Sequence, residues 1–147
     1  MTQNDYQYLI EKLPHRGSMR LIDSVIRVDR NSAEAKTRIN GLRAELFGRD
    51  SEIETYVGVE LIAQAAALPL IYRSEDRKEH KGMIVQVRSF RSYPNKIDTA
   101  ADLTTSCEVE LMLDEKVASV KGRVMNEEAV VCEGVITLAM QKASIDE

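Results

Sequence analysis

The chain has 147 residues, 44% of them apolar and 30% charged, which is enough to bury one core and too apolar for a disordered segment. A formal net charge of −4 argues against nucleic acid as the main partner. No stretch reaches the roughly 20 apolar residues of a membrane span, and the N-terminal Met1-Thr-Gln-Asn-Asp5 has no signal-peptide pattern, so a single cytoplasmic domain over 1–147 is expected.

In chain order, Tyr6 to Leu13 reads as a short helix with Asp5 as its N-cap and Leu9, Ile10 and Leu13 on one face, ended by Pro14. Leu21 to Val28 is β-branched and partly alternating, as a strand should be. Asp29-Arg-Asn-Ser32 is a turn, and Ala33 to Ile39 a return strand. Gly41 to Glu54 is a polar loop. An apolar helix follows from Thr55 to Tyr72, with Pro69 expected to kink or fray its last turn. Ser74 to Gly82 is a charged loop that includes His80, whose setting in a charge run points to exposed surface.

Four more strands are expected at Met83–Arg88, Leu103–Leu113, Val117–Met125 and Val130–Met140. Asp114-Glu-Lys116 and Asn126-Glu-Glu128 have the length of hairpin connections. The Val117 strand alternates cleanly, with Ala118, Val120, Gly122 and Val124 on one face and Val117, Ser119, Lys121 and Arg123 on the other. The order predicts an α+β fold: an antiparallel sheet wrapped around one central helix, which accounts for a helix apolar nearly all round. Cys107 and Cys132 both fall in strand segments, and two cysteines alone predict packed, reduced thiols in preference to a metal site.

The candidate functional segment is Tyr56-Val-Gly58-Val59-Glu60-Leu-Ile-Ala-Gln64-Ala-Ala-Ala67. A lone carboxyl near the start of a buried helix has two readings. Desolvation favours its neutral form, which can act as an acid near neutral pH. Alternatively, it stands in the first turn because the helix dipole favours a negative charge there. Gln64, one turn on, either orients Glu60 by a hydrogen bond or satisfies buried backbone groups. The alanines at 63 and 65–67 let a sheet approach closely.

Leu13-Pro14-His15-Arg16 with Met19-Arg-Leu-Ile-Asp23 resembles the N-terminal motif of the β-hydroxyacyl-ACP dehydratases, and Gly58-Val59-Glu60-x-x-x-Gln64 resembles their active-site helix. Val87-Arg-Ser-Phe90-Arg91 and Ala101-Asp102-Leu103 resemble later strands of that family. The likeness runs in order over most of the chain, and most resembles the dehydratase-like proteins of aryl polyene biosynthesis clusters. It implies a hot-dog fold, a homodimer or a heterodimer with another hot-dog dehydratase, and an acyl carrier protein as partner. It also implies no cofactor beyond the carrier's phosphopantetheine, which bears the substrate. It assigns Glu60 to protonate the departing hydroxyl of a 3-hydroxyacyl thioester, and the helix N-terminus to polarise the thioester carbonyl. Gly58 would allow close approach of the acyl chain or of a partner's backbone, and Gly58, Val59, Gln64, Leu46 and Phe47 line the substrate.

One position departs from the resemblance. The family's catalytic histidine stands fourteen residues before the helix acid and is followed by phenylalanine; here Leu46 and Phe47 occupy those places. Leucine accepts no proton. His15 is then the candidate base, with a structural role for its ring as the other reading. Asp50 and Glu52 are lesser candidate acids or bases, for which solvent exposure is the other reading. Arg88, Arg91 and Lys96 either meet an acidic carrier and its phosphate or form an ordinary charged strand face. Three functions follow: a dehydratase with a relocated base, a non-catalytic acyl-carrier-binding subunit that partners an active dehydratase, and a hot-dog thioesterase.

Overall fold

The computed structural model describes residues 7–11, 20–39, 54–73, 80–93, 102–114 and 116–142. The elements are α1 (Gln7–Glu11), β1 (Ser24–Val28), β2 (Ser32–Thr37), α2 (Thr55–Tyr72), β3 (His80–Ser92), β4 (Leu103–Leu113), β5 (Val117–Asn126) and β6 (Ala129–Lys142). The strands form one sheet in the order β1-β2-β4-β5-β6-β3, and every pairing is antiparallel. This sheet around one long helix is the hot-dog arrangement. His15, Leu46, Phe47, Asp50, Glu52 and Lys96 lie outside the described residues, as does Asp5.

Helix α2 packs against all six strands and against α1. Fourteen of its 18 residues are buried, so an apolar stripe on one side would not have been enough. By length and composition this helix could cross a membrane, contrary to the reading that no stretch could; its burial makes it the core helix of the sheet. It runs through Pro69 to Tyr72 without fraying, and the Arg73 N–H donates to the Pro69 carbonyl at 3.0 Å. The sheet reaches the helix closely at Gly122, where a Cβ would stand 2.5 Å from Ile62 Cγ2. In β5, Ala118, Val120, Gly122 and Val124 are buried and Lys121 and Arg123 exposed, which is the alternation the sequence predicts.

The turns follow local chemistry. Asp29 Oδ1 accepts the N–H groups of Asn31 and Ser32, each at 2.8 Å, and its Oδ2 accepts the Ser32 hydroxyl at 2.8 Å. Those donors hold the Asp29 carboxyl below its ordinary pKa, the Asn31 N–H first and the Ser32 hydroxyl next. Arg73 then fastens this turn to the end of α2, its Nε donating to the Arg30 carbonyl at 3.0 Å and its Nη2 to Asn31 Oδ1 at 2.7 Å. The β4–β5 and β5–β6 connections turn through left-handed residues, Asp114 at φ 52° and Glu127 at φ 57°.

Element ends differ from the sequence reading. Of the expected first helix the described residues are Gln7–Glu11, all helical, and β1 begins at Ser24 although Leu21 and Ile22 before it are buried. Strand β3 begins at His80, so this residue belongs to a strand and not to a loop, opposite Lys142. Strand β6 is 14 residues long, and its ladder recruits the charged stretch that composition alone assigns to a loop.

Two stability outcomes follow. Gly122→Ala is expected to cost about 1–3 kcal/mol in chemical denaturation, because Ile62 has no room to withdraw from a new methyl. Asp29→Ala is expected to lower the melting temperature at neutral pH. A carboxyl whose folded pKa is depressed contributes stability above its unfolded pKa, and that contribution is lost as pH falls through the folded value. The gap between the two proteins should therefore close below pH about 4.

Candidate active site

Helix α2 starts at Thr55 with Glu54 as its N-cap residue, and no acidic residue lies in its first turn. Glu60 is the sixth helical residue, in the second turn, which corrects the first-turn reading. The dipole effect fades within one turn, so it is a poor reason for a carboxyl here. Glu60 is half-buried, on a helix whose neighbours on either side are buried.

Gln64 is 1% exposed and fulfils both of its readings. Its Oε1 accepts the buried Leu21 N–H at 2.8 Å, and its Nε2 donates to Glu60 Oε1 at 3.1 Å. The backbone donor fixes the amide's orientation: only the oxygen can face Leu21, so the nitrogen must face Glu60. The carboxyl is thus held by a group that is itself held.

Leu21 belongs to the segment Met19–Asp23 and Gln64 to the helix motif, so the two sequence motifs meet through one hydrogen bond across 43 residues. Asp23 fixes the same segment to β2: its N–H donates to the Lys36 carbonyl at 2.9 Å, and its Oδ2 accepts the Arg38 N–H at 2.7 Å. The Leu21 N–H is a site partner that sequence reasoning missed. No side-chain property encodes it, and only the recurrence of both motifs in one chain hints at it.

Val59 is buried, and the space beside Gly58 is filled from within the chain. A Cβ there would stand 2.7 Å from Phe90 Cζ and 2.9 Å from Cys132 Sγ. The N–H groups of Val57 and Gly58 both donate to the Glu54 carbonyl at 3.0 Å, so a carbonyl at this helix end would have to meet the earlier donors of the turn. Cys132 and Cys107 are free and buried, and burial pushes both thiols up to about 12, which leaves them protonated and inert. Arg88 and Arg91 are exposed on β3, with the Arg91 guanidinium 5.4 Å from the Tyr93 ring centroid. The Tyr93 hydroxyl donates to Glu133 Oε1 at 2.6 Å, and that carboxylate raises the phenol's pKa. Among the described residues, no cluster of His, Cys, Asp or Glu could hold a metal ion. An open groove of about 780 Å³ lies elsewhere, lined by charged residues including Arg27, Lys121 and Arg123 but not by Glu60.

The ApeP-like family, described as ApeP dehydratase, matches residues 8–146. The chain belongs to the ApeP-like dehydratase family. Among solved structures, it resembles the dehydratase heterocomplex ApeI:P from Xenorhabdus doucetiae, with 23% identity, TM-score 0.73, and 95% of this chain and 93% of that one covered. It also resembles the conserved protein PA5202 from Pseudomonas aeruginosa, with 14% identity, TM-score 0.67 and coverage of 89% and 98%. A hypothetical thioesterase from Streptococcus pneumoniae TIGR4, solved with coenzyme A, matches at 14% identity and TM-score 0.59, with 96% and 98% covered. At these identities the likeness establishes the shared fold, and the family match carries the dehydratase assignment. No curated protein matches the chain.

Replacing Gln64 removes the acceptor of the Leu21 N–H and the donor to Glu60 together. Gln64→Leu keeps the volume and is expected to cost about 1–3 kcal/mol in denaturant unfolding, the penalty of a buried backbone donor left unpaired.

Proposed function

We propose that this chain is one half of a two-chain dehydratase. It acts on a 3-hydroxyacyl thioester carried on the phosphopantetheine of an acyl carrier protein, in a fatty-acid-like or aryl polyene-like pathway. The product is the trans-2-enoyl thioester. Glu60 is the acid. The observation that carries this reading is the Glu60 carboxyl held by Gln64, itself anchored on Leu21, in a chain of the ApeP-like dehydratase family.

In the reaction a base takes the proton from C2, and that electron pair becomes the C2–C3 double bond. The C3–O bond breaks, and the hydroxyl leaves as water with the proton from Glu60. The base then returns its proton to the Glu60 carboxylate, and the cycle closes. Glu60 must therefore carry a proton when substrate binds. Polarisation of the thioester carbonyl falls to the donors at the start of α2, with Leu46 and Phe47 on the substrate's path, while the space beside Gly58 is taken by Phe90 and Cys132.

The base is the part this chain supplies least well. Leu46 stands where the resemblance expects histidine. That a structural neighbour is part of a dehydratase heterocomplex supports a second hot-dog subunit as its source, with His15 as the candidate within this chain. The likeness to a hypothetical thioesterase keeps hydrolysis as a competing outcome of the same assay.

The test is turnover of a 3-hydroxyacyl pantetheine thioester, followed by enoyl absorbance and by free thiol in parallel. The chain is assayed alone and with the hot-dog dehydratase subunit of its own cell. Wild type is expected to be inactive alone and active with the partner. Glu60→Gln is expected to lower turnover by about 100-fold or more while the melting temperature stays within a few degrees. Thiol release without enoyl formation would overturn the dehydratase reading. Activity of the chain alone, abolished in His15→Ala, would place the base in this chain and remove the need for a partner.

A further inference from the structure

The residues of α2 that are not buried are Thr55, Tyr56, Glu60 and Tyr72. Thr55, Tyr56 and Tyr72 stand at its ends, and Glu60 alone interrupts the buried run between them.

On a helix surface the neighbours of Glu60 are the residues three and four away: Tyr56, Val57, Ala63 and Gln64. Val57, Ala63 and Gln64 are buried, and so are Val59 and Leu61 on either side. Tyr56 is 65% exposed. Gln64 meets the Glu60 carboxyl from the C-terminal side, its Nε2 donating at 3.1 Å. Helical side chains lean toward the N-terminus, so the Glu60 side chain is directed over the turn that carries Tyr56. Along the helix, the open way to this carboxyl runs past the Tyr56 ring.

The start of α2 brackets the same residue from the other side. The Val57 and Gly58 N–H groups both donate to the Glu54 carbonyl at 3.0 Å, so the donors left in the first turn belong to Thr55 and Tyr56. A 3-hydroxyacyl thioester with its carbonyl on those donors and its hydroxyl at Glu60 lays C1 to C3 beside Tyr56. These carbons change shape in the reaction. C2 and C3 pass from tetrahedral to trigonal, and the enoyl thioester is flat from C1 to C3. A flat π system lies against an aromatic face better than a puckered chain does. An interaction gained only as the carbons flatten raises kcat and leaves substrate binding little changed.

We propose that Tyr56 is a substrate-contacting residue, whose ring lies against C1 to C3 of the acyl thioester and favours the flattened form over the tetrahedral one. The proposal rests on the reading of Glu60 as the acid of a dehydratase, and it adds a second side chain of the same helix to that site. Tyr56 neither gives nor takes a proton in the reaction, so phenylalanine should replace it.

The test compares the affinities of trans-2-octenoyl pantetheine and octanoyl pantetheine, by calorimetry, for the chain together with its partner subunit. A Glu60→Gln background keeps the enoyl probe from being hydrated, and constant enoyl absorbance checks this. With Tyr56 in place the enoyl thioester is expected to bind about 3- to 10-fold more tightly than the saturated one, the span of a stacked aromatic contact. Tyr56→Phe should keep that ratio. Tyr56→Leu should bring it to about one, and Tyr56→Met serves if the leucine variant loses its folded circular dichroism. In turnover with Glu60 intact, Tyr56→Leu should lower kcat by a similar factor while KM stays within about twofold. An enoyl thioester bound no more tightly than the saturated one, or a ratio that survives in Tyr56→Leu, overturns the proposal. The affinity ratio does not depend on turnover. If Glu60→Gln leaves catalysis unchanged, the catalytic reading falls while the ratio still reports on Tyr56. If the ratio is flat while Glu60→Gln abolishes turnover, the proposal for Tyr56 falls alone.

Discussion

A helix with no polar stripe must be covered on every side, and this constraint organises the molecule. Helix α2 is buried along most of its length, and a flat sheet could cover only one of its faces. The sheet answers by enclosing it, with all six strands in contact. Close wrapping requires small residues on both partners. Ala63, Ala65, Ala66 and Ala67 supply them on the helix, and Gly122 on the sheet accepts Ile62 where any side chain would collide. Gly58 does the same with the roles exchanged, for there the helix lacks the side chain and Phe90 and Cys132 fill the space.

Within that apolar enclosure a polar pair needs a special arrangement. Gln64 sits where the core leaves no access to water, and its amide has both ends engaged, by a backbone N–H on one side and a carboxyl on the other. Buried polar groups are tolerated when they are satisfied in this way, and a satisfied network fixes geometry. Here it fixes two things at once. It seats the segment before β1 onto the helix, and it sets the position of the Glu60 carboxyl. Structure and site are the same bond seen from its two ends.

What the sequence disclosed follows from which forces act locally. The limits of α2, the hairpin spacings and the in-out pattern of β5 are written in composition and period, and the structure has them where those signals lie. Strand ends are set by the neighbouring strand and not by their own residues. The extension of β3 back to His80 therefore needs β6 beside it, which no local pattern announces. Glu60 stands out as the one carboxyl of α2, but counted from the Thr55 start that the sequence itself indicates it is the sixth residue and so lies in the second turn, not the first. The Gln64 bond to Leu21 was invisible for a different reason: one partner is a backbone group, identical in every residue.

The two halves of the chemistry stand on different footings in this chain. Glu60, the proposed acid, is tied into the fold, since Gln64 cannot be lost without stranding the Leu21 N–H in the core, and whatever keeps Gln64 also keeps Glu60 positioned. A chain that keeps the acid through its own folding requirement and has leucine at the base position is suited to working beside a second subunit.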